Sequence, residues 1–390
     1  MVVCHPGSSD VAKSMDTILC TDSTSGVDIP ANINDTVSKR CQVFTDPVHP
    51  NDHVNMGQSS NDVIPTAIHV ATAESIKTLL FPSLQRLENS LRAKSREFWD
   101  IIKIGRTHLM DATPVRLGQE FAGYAKQAEY ARLRAANAIS AIEELALGGT
   151  AVGTGLNAHP EFARRAIAIV ANETEINFKE AADHFEAQGA KDGLVQASSQ
   201  LKTIAVSLFK LANDIRWLSS GPRCGIGEIQ LPAMQPGSSI MPGKVNPVMC
   251  EALMQVCAQV IGNDATISWC GANGNFELNV MMPVLAHDIL ESVRLLASAS
   301  AVFAERCIDG IVANTARCEE LVEYSMAMVT SLAPIIGYDR ATQIAKESAK
   351  TGRTVREICI EQKVLPPGEL AIALDPVEMT KPGGEGSAGG

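Results

Sequence analysis

From Asn61 onward the chain alternates apolar stripes with short polar breaks. Ile64, Ile68, Ala71, Ser75, Thr78 and Leu79 follow three- and four-residue spacing, and Leu84, Leu87 and Leu91 continue it beyond Pro82. Residues at that spacing share one face of a helix, so a helix is predicted here that Pro82 kinks or breaks. A long helix is predicted over 117–147. The clearest stripe lies at 201–218, where Leu201, Ile204, Ala205, Leu208, Leu211, Ala212, Ile215 and Leu218 line one face. Two more helices read at 249–268 and 284–306. Strand-like alternation is nearly absent. The first 60 residues are polar and weakly periodic. Gly-rich breaks fall at 148–160 and 221–228, and the tail, KPGGEGSAGG, has a composition that predicts disorder. The expected fold is all-α, a bundle of long helices with its chemistry in the connecting loops.

Composition narrows this picture. With 390 residues and 45% hydrophobic content the chain can bury a sizeable core, and only 4% aromatic residues suits close helix packing through small side chains. A net charge of -11 argues against a broad nucleic-acid surface. An anionic ligand would need a local pocket of donors and cations. The ten cysteines form no C-x-x-C pair and have no histidine at metal-ligand spacing, so reduced, packed thiols are expected. No apolar run reaches the ~18 residues of a membrane span, and MVVCHPGSSDVAK lacks a signal core. A cytoplasmic location is expected, or the mitochondrial matrix in a eukaryote.

Four polar clusters could carry chemistry. PGSSIMPGKVNP, at 236–247, combines three prolines with Gly237 and Gly243, so it can serve as a closing loop. Ser238, Ser239, Lys244 and Asn246 would give it donors and a cation for a carboxylate. The same residues equally fit an ordinary surface loop. GQSSND, at 57–62, follows HPND at 49–52; Ser59, Ser60 and Asn61 suit a helix cap, and their donors would also receive an anion. GRTHLMDATPV sets Thr107 and His108 beside Arg106 and Asp111, a weak signal alone. Glu251 follows Lys244 by seven residues; alone it reads as a solvated helix-start residue.

Together these stretches resemble one family. GSSIMPGKVNP resembles the signature loop of the fumarase/aspartase superfamily. GRTHLMDATPVRLGQEF, ELALGGTAVGTGLNAHPEFARR, SGPRCGIGEI and GNFELNV narrow the resemblance to class II fumarate hydratase, over about residues 45–380. An aspartate ammonia-lyase would usually carry Gln at His108. The resemblance implies a homotetramer built on a shared bundle of long helices, with each active site drawn from three subunits. It implies Ser238 as the base that removes the C3 proton of malate, and His108 paired with Glu251 on the water that leaves or attacks at C2. Ser25, Gly26, Ser59, Ser60, Asn61, Thr107, Ser239, Lys244 and Asn246 would bind the dicarboxylate. His49, Asn51 and Asp52 would form a secondary carboxylate site. No metal or organic cofactor, nucleic acid or membrane is implied. Domains are expected at 1–58, a shortened N-terminal domain; at 59–316, the central bundle; and at 317–390, a small C-terminal domain with the disordered tail.

The chain departs from this family in places. The resemblance implies a shortened N-terminal domain, with several of the family's helices expected to be missing. SGVDIPANIND carries Val27 where the family has threonine, which removes a hydroxyl that would contact substrate. Asp46 stands where the secondary site often has a cation. Two alternatives follow: another superfamily lyase that releases ammonia or an amine, and a non-catalytic homologue acting only as a subunit.

Overall fold

A computed structural model describes residues 55–235, 237 and 240–382. The expectations for the first 54 residues, for the tail beyond 382 and for Ser238 and Ser239 lie outside these described residues. The long helices are α1 (Ser60–Ser75), α2 (Phe81–Glu97), α3 (Leu117–Ser140), α4 (Phe162–Thr174), α6 (Asp192–Leu218), α7 (Val248–Gly271) and α8 (Met282–Arg306), with a short α5 (His184–Gly189) before α6. Strands β1 (Ile102–Thr107) and β2 (Met110–Arg116) form a hairpin. Two-residue strands β3 (Glu144–Leu145), β4 (Lys179–Glu180), β5 (Ile229–Gln230), β6 (Gly274–Asn275), β7 (Leu278–Asn279) and β8 (Val312–Ala313) pair between the helices. The C-terminal part adds α9 (Thr315–Tyr324), α10 (Ala333–Ile336), α11 (Tyr338–Thr351), α12 (Val355–Glu361) and α13 (Pro367–Ala373).

The stripe predicted at 201–218 is buried along its whole length. The first stripe is buried only in part, and the reason is local. Helix does not break at Pro82: residues Ile76–Leu80 form a π-helical turn that joins α1 to α2. That wider turn holds an extra residue, so the buried face passes through Ile76 and Leu80, and Leu79 faces out. The amide of Phe81 bonds to Ile76 O, five residues back, and Ser83 Oγ donates to Leu79 O. The turn thus absorbs a proline that a regular α-helix would not accommodate without a kink.

The chain divides into two compact units. The first contains the chain up to Gln85 with Tyr130–Phe209 and Leu253–Ser300; its core includes Ile68, Leu84, Leu201, Ile204, Val260 and Ile289. The second contains Arg86–Glu129, Lys210–Ala252 and the chain from Ala301. In it Phe98, Phe121 and Tyr124 pack edge to face at centroid distances of 5.2 and 5.6 Å. A further core in this second unit gathers Val322, Met328, Leu332, Ile344, Ile358 and Leu370 around Ile104 of β1. The seven described cysteines are all free, and only Cys224 is exposed, in line with the expected packed thiols.

The β1–β2 hairpin was not legible in the hydrophobic pattern, and it carries two of the candidate residues. Its register shifts between Ile104 and Arg106, a β-bulge, and its two-residue turn is His108–Leu109. Both turn residues have positive φ, 56° and 60°. This mirror-image turn matches the twist of a hairpin, but it is built here without glycine, at a cost of about 1–3 kcal/mol per residue.

Candidate active site

In the first unit, Ser59 caps α1. Its Oγ accepts from the Asn61 amide at 3.2 Å, and its own amide donates to Asp62 Oδ1 at 2.9 Å. Asp62 is fully buried, and its other oxygen accepts the amides of Gly148 and Thr150, each at 3.0 Å. One carboxylate therefore fixes the start of α1 against the Gly-rich loop that begins at Gly148. Burial pushes the Asp62 acid upward, and the amide bonds pull it back. Asn61 is committed in the same way. Its Nδ2 donates to Ala151 O at 2.8 Å and to Glu277 O at 2.6 Å, while its Oδ1 is buried without a partner. The predicted Asn61 amide donor is thus spent inside the chain. What Asn61 can offer a ligand is an acceptor for a hydroxyl or a water, beside the hydroxyls of Ser59 and Ser60.

In the second unit, Thr107 and His108 sit exposed at the hairpin tip. Just before them, Arg106 turns inward to Glu228. Nη1 and Nη2 of the guanidinium meet the two Glu228 oxygens at 2.9 and 3.1 Å, a forked pair. Lys103 Nζ lies 3.3 Å from Glu228 Oε2 and donates to Glu120 Oε1 at 2.9 Å. Burial holds the Glu120 acid above its ordinary value. Sequence reasoning missed Glu228, because a glutamate closing a Gly-rich break gives no local signal of its partner.

The loop that holds Lys244 is closed at its base. Asn246 Nδ2 donates to Gly237 O at 3.3 Å, and the Lys244 amide donates to Met241 O at 3.2 Å. Lys244 is exposed, and Glu251 is half-buried in the first turn of α7. Among the described residues, the side chains of His108 and Glu251 make no hydrogen bond or ion pair with each other. Ser25, Gly26, His49, Asn51, Asp52, Ser238 and Ser239 lie outside the described residues.

These features can be set against known proteins. A family described as Lyase matches residues 8–262, and one described as Fumarase C C-terminus matches residues 328–381. Fumarate hydratase class II of Methylorubrum extorquens is 53% identical over 339 residues, covering 87% of this chain and 72% of that protein. The chain belongs to the class II fumarate hydratase family. Fumarate hydratase class II of Mycobacterium tuberculosis is 52% identical, with 87% of this chain and 72% of that protein covered. Among solved structures, the class II fumarase of Schistosoma mansoni matches with a TM-score of 0.86 at 38% identity, over 90% of this chain and 78% of that one. A Brucella melitensis fumarate lyase:delta crystallin structure described as bound to cobalt matches with a TM-score of 0.86 at 45% identity, with the same coverage.

Two further features of this class II fumarate hydratase family member are built from residues outside the predicted set. On α8, His287, Asp288 and Glu291 bring one potential metal-ligand atom each to within 4.8 Å of one another, and Asn263 Nδ2 donates to Glu291 Oε2 at 2.9 Å. In the first unit a polar cavity of about 550 Å³ is lined by His69, Asn137, Glu144, Glu186, Lys191 and Gln196, among others. None of the described helices is long and apolar enough to cross a membrane.

His69 makes that cavity a source of acid sensitivity. Its Nδ1–H donates to Ile142 O at 3.1 Å and Glu144 O at 2.9 Å. Burial, with the nearby Lys191 cation, pulls the ring from an ordinary 6.5 to about 4. Between those values the unfolded chain takes up a proton that the native ring refuses. Stability is therefore fully present above the unfolded value and falls as pH drops toward 4, by roughly 1–3 kcal/mol once cavity water is allowed for. In urea melts near neutrality and near pH ~5, His69→Gln is expected to lose less stability on acidification than the parent. Equal losses would remove His69 as the cause.

Proposed function

We propose that the chain catalyses the reversible addition of water to fumarate, giving (S)-malate by anti addition. The observation that carries this reading is the match over 87% of the chain to a class II fumarate hydratase at 53% identity. His108 in place of glutamine favours this reaction over ammonia release. In the direction of malate dehydration, Ser238 takes the C3 proton. A serine hydroxyl is a weak base, so the loop amides and the Lys244 cation must stabilise its alkoxide. Proton loss beside a carboxylate gives a doubly charged aci-carboxylate. Lys244, Asn246, Thr107, Ser239 and the hydroxyls of Ser59 and Ser60 supply donors to that charge. Asn61 Oδ1, with both amide hydrogens spent, accepts from the hydroxyl that departs at C2 or from the water that attacks there. His108, paired with Glu251, polarises that water. Ser25 and Gly26 complete the substrate set, and His49, Asn51 and Asp52 form a secondary carboxylate site.

The working form is a homotetramer in which three subunits contribute to each site. Two features support this. His108 is exposed and makes no pair with Glu251 of its own chain. The long helices also expose large apolar side chains, among them Leu133, Val206, Phe209, Ile261 and Trp269. Residues 59–316 act as the central domain and 317–390 as a small C-terminal domain, which the core around Ile344 and Ile358 supports.

The test is turnover of malate, followed by the ultraviolet absorbance of fumarate, with aspartate as the competing substrate. Ser238→Ala is expected to lower kcat by at least ~100-fold while changing dicarboxylate affinity by less than ~threefold, because the hydroxyl acts on the transition state. Near-parental turnover of that variant would place the base elsewhere. Turnover of aspartate in preference to malate would move the chain to the ammonia-lyases.

A further inference from the structure

We propose that Glu228 is a positioning residue for the reaction: it holds the strained His108 turn in its working geometry through the half-buried guanidinium of Arg106. This rests on the reading of His108 as a reacting group.

The argument starts from the turn. His108 and Leu109 both sit at positive φ, at 56° and 60°, and neither is glycine. Left alone, such a turn relaxes, because each residue gives up about 1–3 kcal/mol to hold that backbone. Something must over-determine it. The strand pairs at Arg106–Asp111 and Thr107–Met110 close the hairpin, but the bulge beyond Arg106 interrupts the ladder. Before the bulge, β1 is held by Ile104 in the core and by the ion pairs of Lys103; between the bulge and the turn, the Arg106 side chain supplies an anchor.

Glu228 is suited to be the fixed end of that anchor. Its side chain is completely buried. Its backbone is pinned on both sides: its amide donates to Leu218 O at 2.9 Å, and its carbonyl accepts the Asn314 amide at 2.8 Å. The preceding loop is held as well. Asn314 Nδ2 donates to Gly227 O at 3.1 Å, and Arg317 Nε donates to Ile226 O at 3.1 Å. The Gly-rich break at 221–228 therefore delivers a rigid carboxylate to the hairpin. The forked pair with Arg106 fixes the orientation of the guanidinium as well as its distance. Lys103 and Glu120 complete the group, giving two cations and two carboxylates. Arg106 is thus an inward tether, two residues from His108.

Three consequences can be measured. Glu228→Gln keeps the shape but removes the charge; Glu228→Asp keeps the charge and shortens the reach. Both are expected to lower kcat by roughly tenfold to a hundredfold with KM changed less than ~threefold, since a small misplacement of a reacting group acts on the transition state. In a His108→Asn background the same substitutions are expected to cost less than ~twofold, because the group they position is already gone. Amide hydrogen exchange, which needs no activity, is expected to speed up at Thr107–Asp111 in both variants and to stay slow in α6. An equal fold-loss in both backgrounds would make Glu228 a general structural residue and overturn the proposal. So would unchanged exchange at the hairpin. A parent without malate turnover would sink the fumarate hydratase reading instead, and the exchange measurement would still decide whether Glu228 holds the turn.

Discussion

A Gly237→Ala variant is expected to lose at least ~100-fold in kcat/KM while its melting temperature moves by only a few degrees. The reason is a single close approach. A Cβ at position 237 would lie 1.6 Å from the carbonyl oxygen of Lys244. No rotamer change can relieve that overlap, because both atoms belong to the backbone or are fixed by it. The two sides of the loop must move apart, and the bond from Asn246 Nδ2 to Gly237 O, already 3.3 Å long, breaks with them. Lys244 then loses the place that this closed loop base gives it. The core is untouched, since Lys244 and its neighbours are exposed. Malate turnover and a thermal melt on the same preparation check this. Turnover within ~threefold of the parent would show that the loop base tolerates rearrangement and that its closed geometry does not matter to the chemistry.

The helices were legible because burial imposes a period. The stripe at 201–218 announces α6, though not its start at Asp192, since the first turns lack a run of large apolar residues. Pro82 misled because the rule against internal proline assumes a regular α-helix, and a π turn escapes it. The hairpin was hidden for a different reason. Its strands are six and seven residues long, and Lys103, which by composition belongs to the surface, is buried by its pairing with Glu120 and Glu228. The candidate chemistry was legible through motif resemblance more than through spacing. What stayed hidden is long-range pairing: Arg106 finds Glu228 across 122 residues, and Asn61 finds Glu277 across 216. No local pattern encodes such partners, and they decide which donors remain for a ligand.

Mixing two nearly inactive variants is expected to restore activity. His108→Asn and Glu251→Gln should each reduce turnover ~100-fold or more, because each removes one half of a proton-handling pair. Within one chain the two side chains do not pair. If the pair forms between subunits, a hybrid oligomer contains sites that draw His108 from a Glu251→Gln chain and Glu251 from a His108→Asn chain. Such sites have both native groups. In an equal, random assembly roughly a quarter of the sites are of this kind, so turnover should rise to roughly a quarter of the parental value. The two variants must be co-expressed or unfolded and refolded together, since preformed oligomers need not exchange subunits. The double variant, mixed with the parent under the same conditions, gives the comparison: there every native site must come from parental chains alone. Activity of the mixture no greater than the sum of the two variants would mean that each site takes both residues from one chain. The exposed His108 turn would then need a movement of its own chain to reach Glu251, and the shared-site reading would fall.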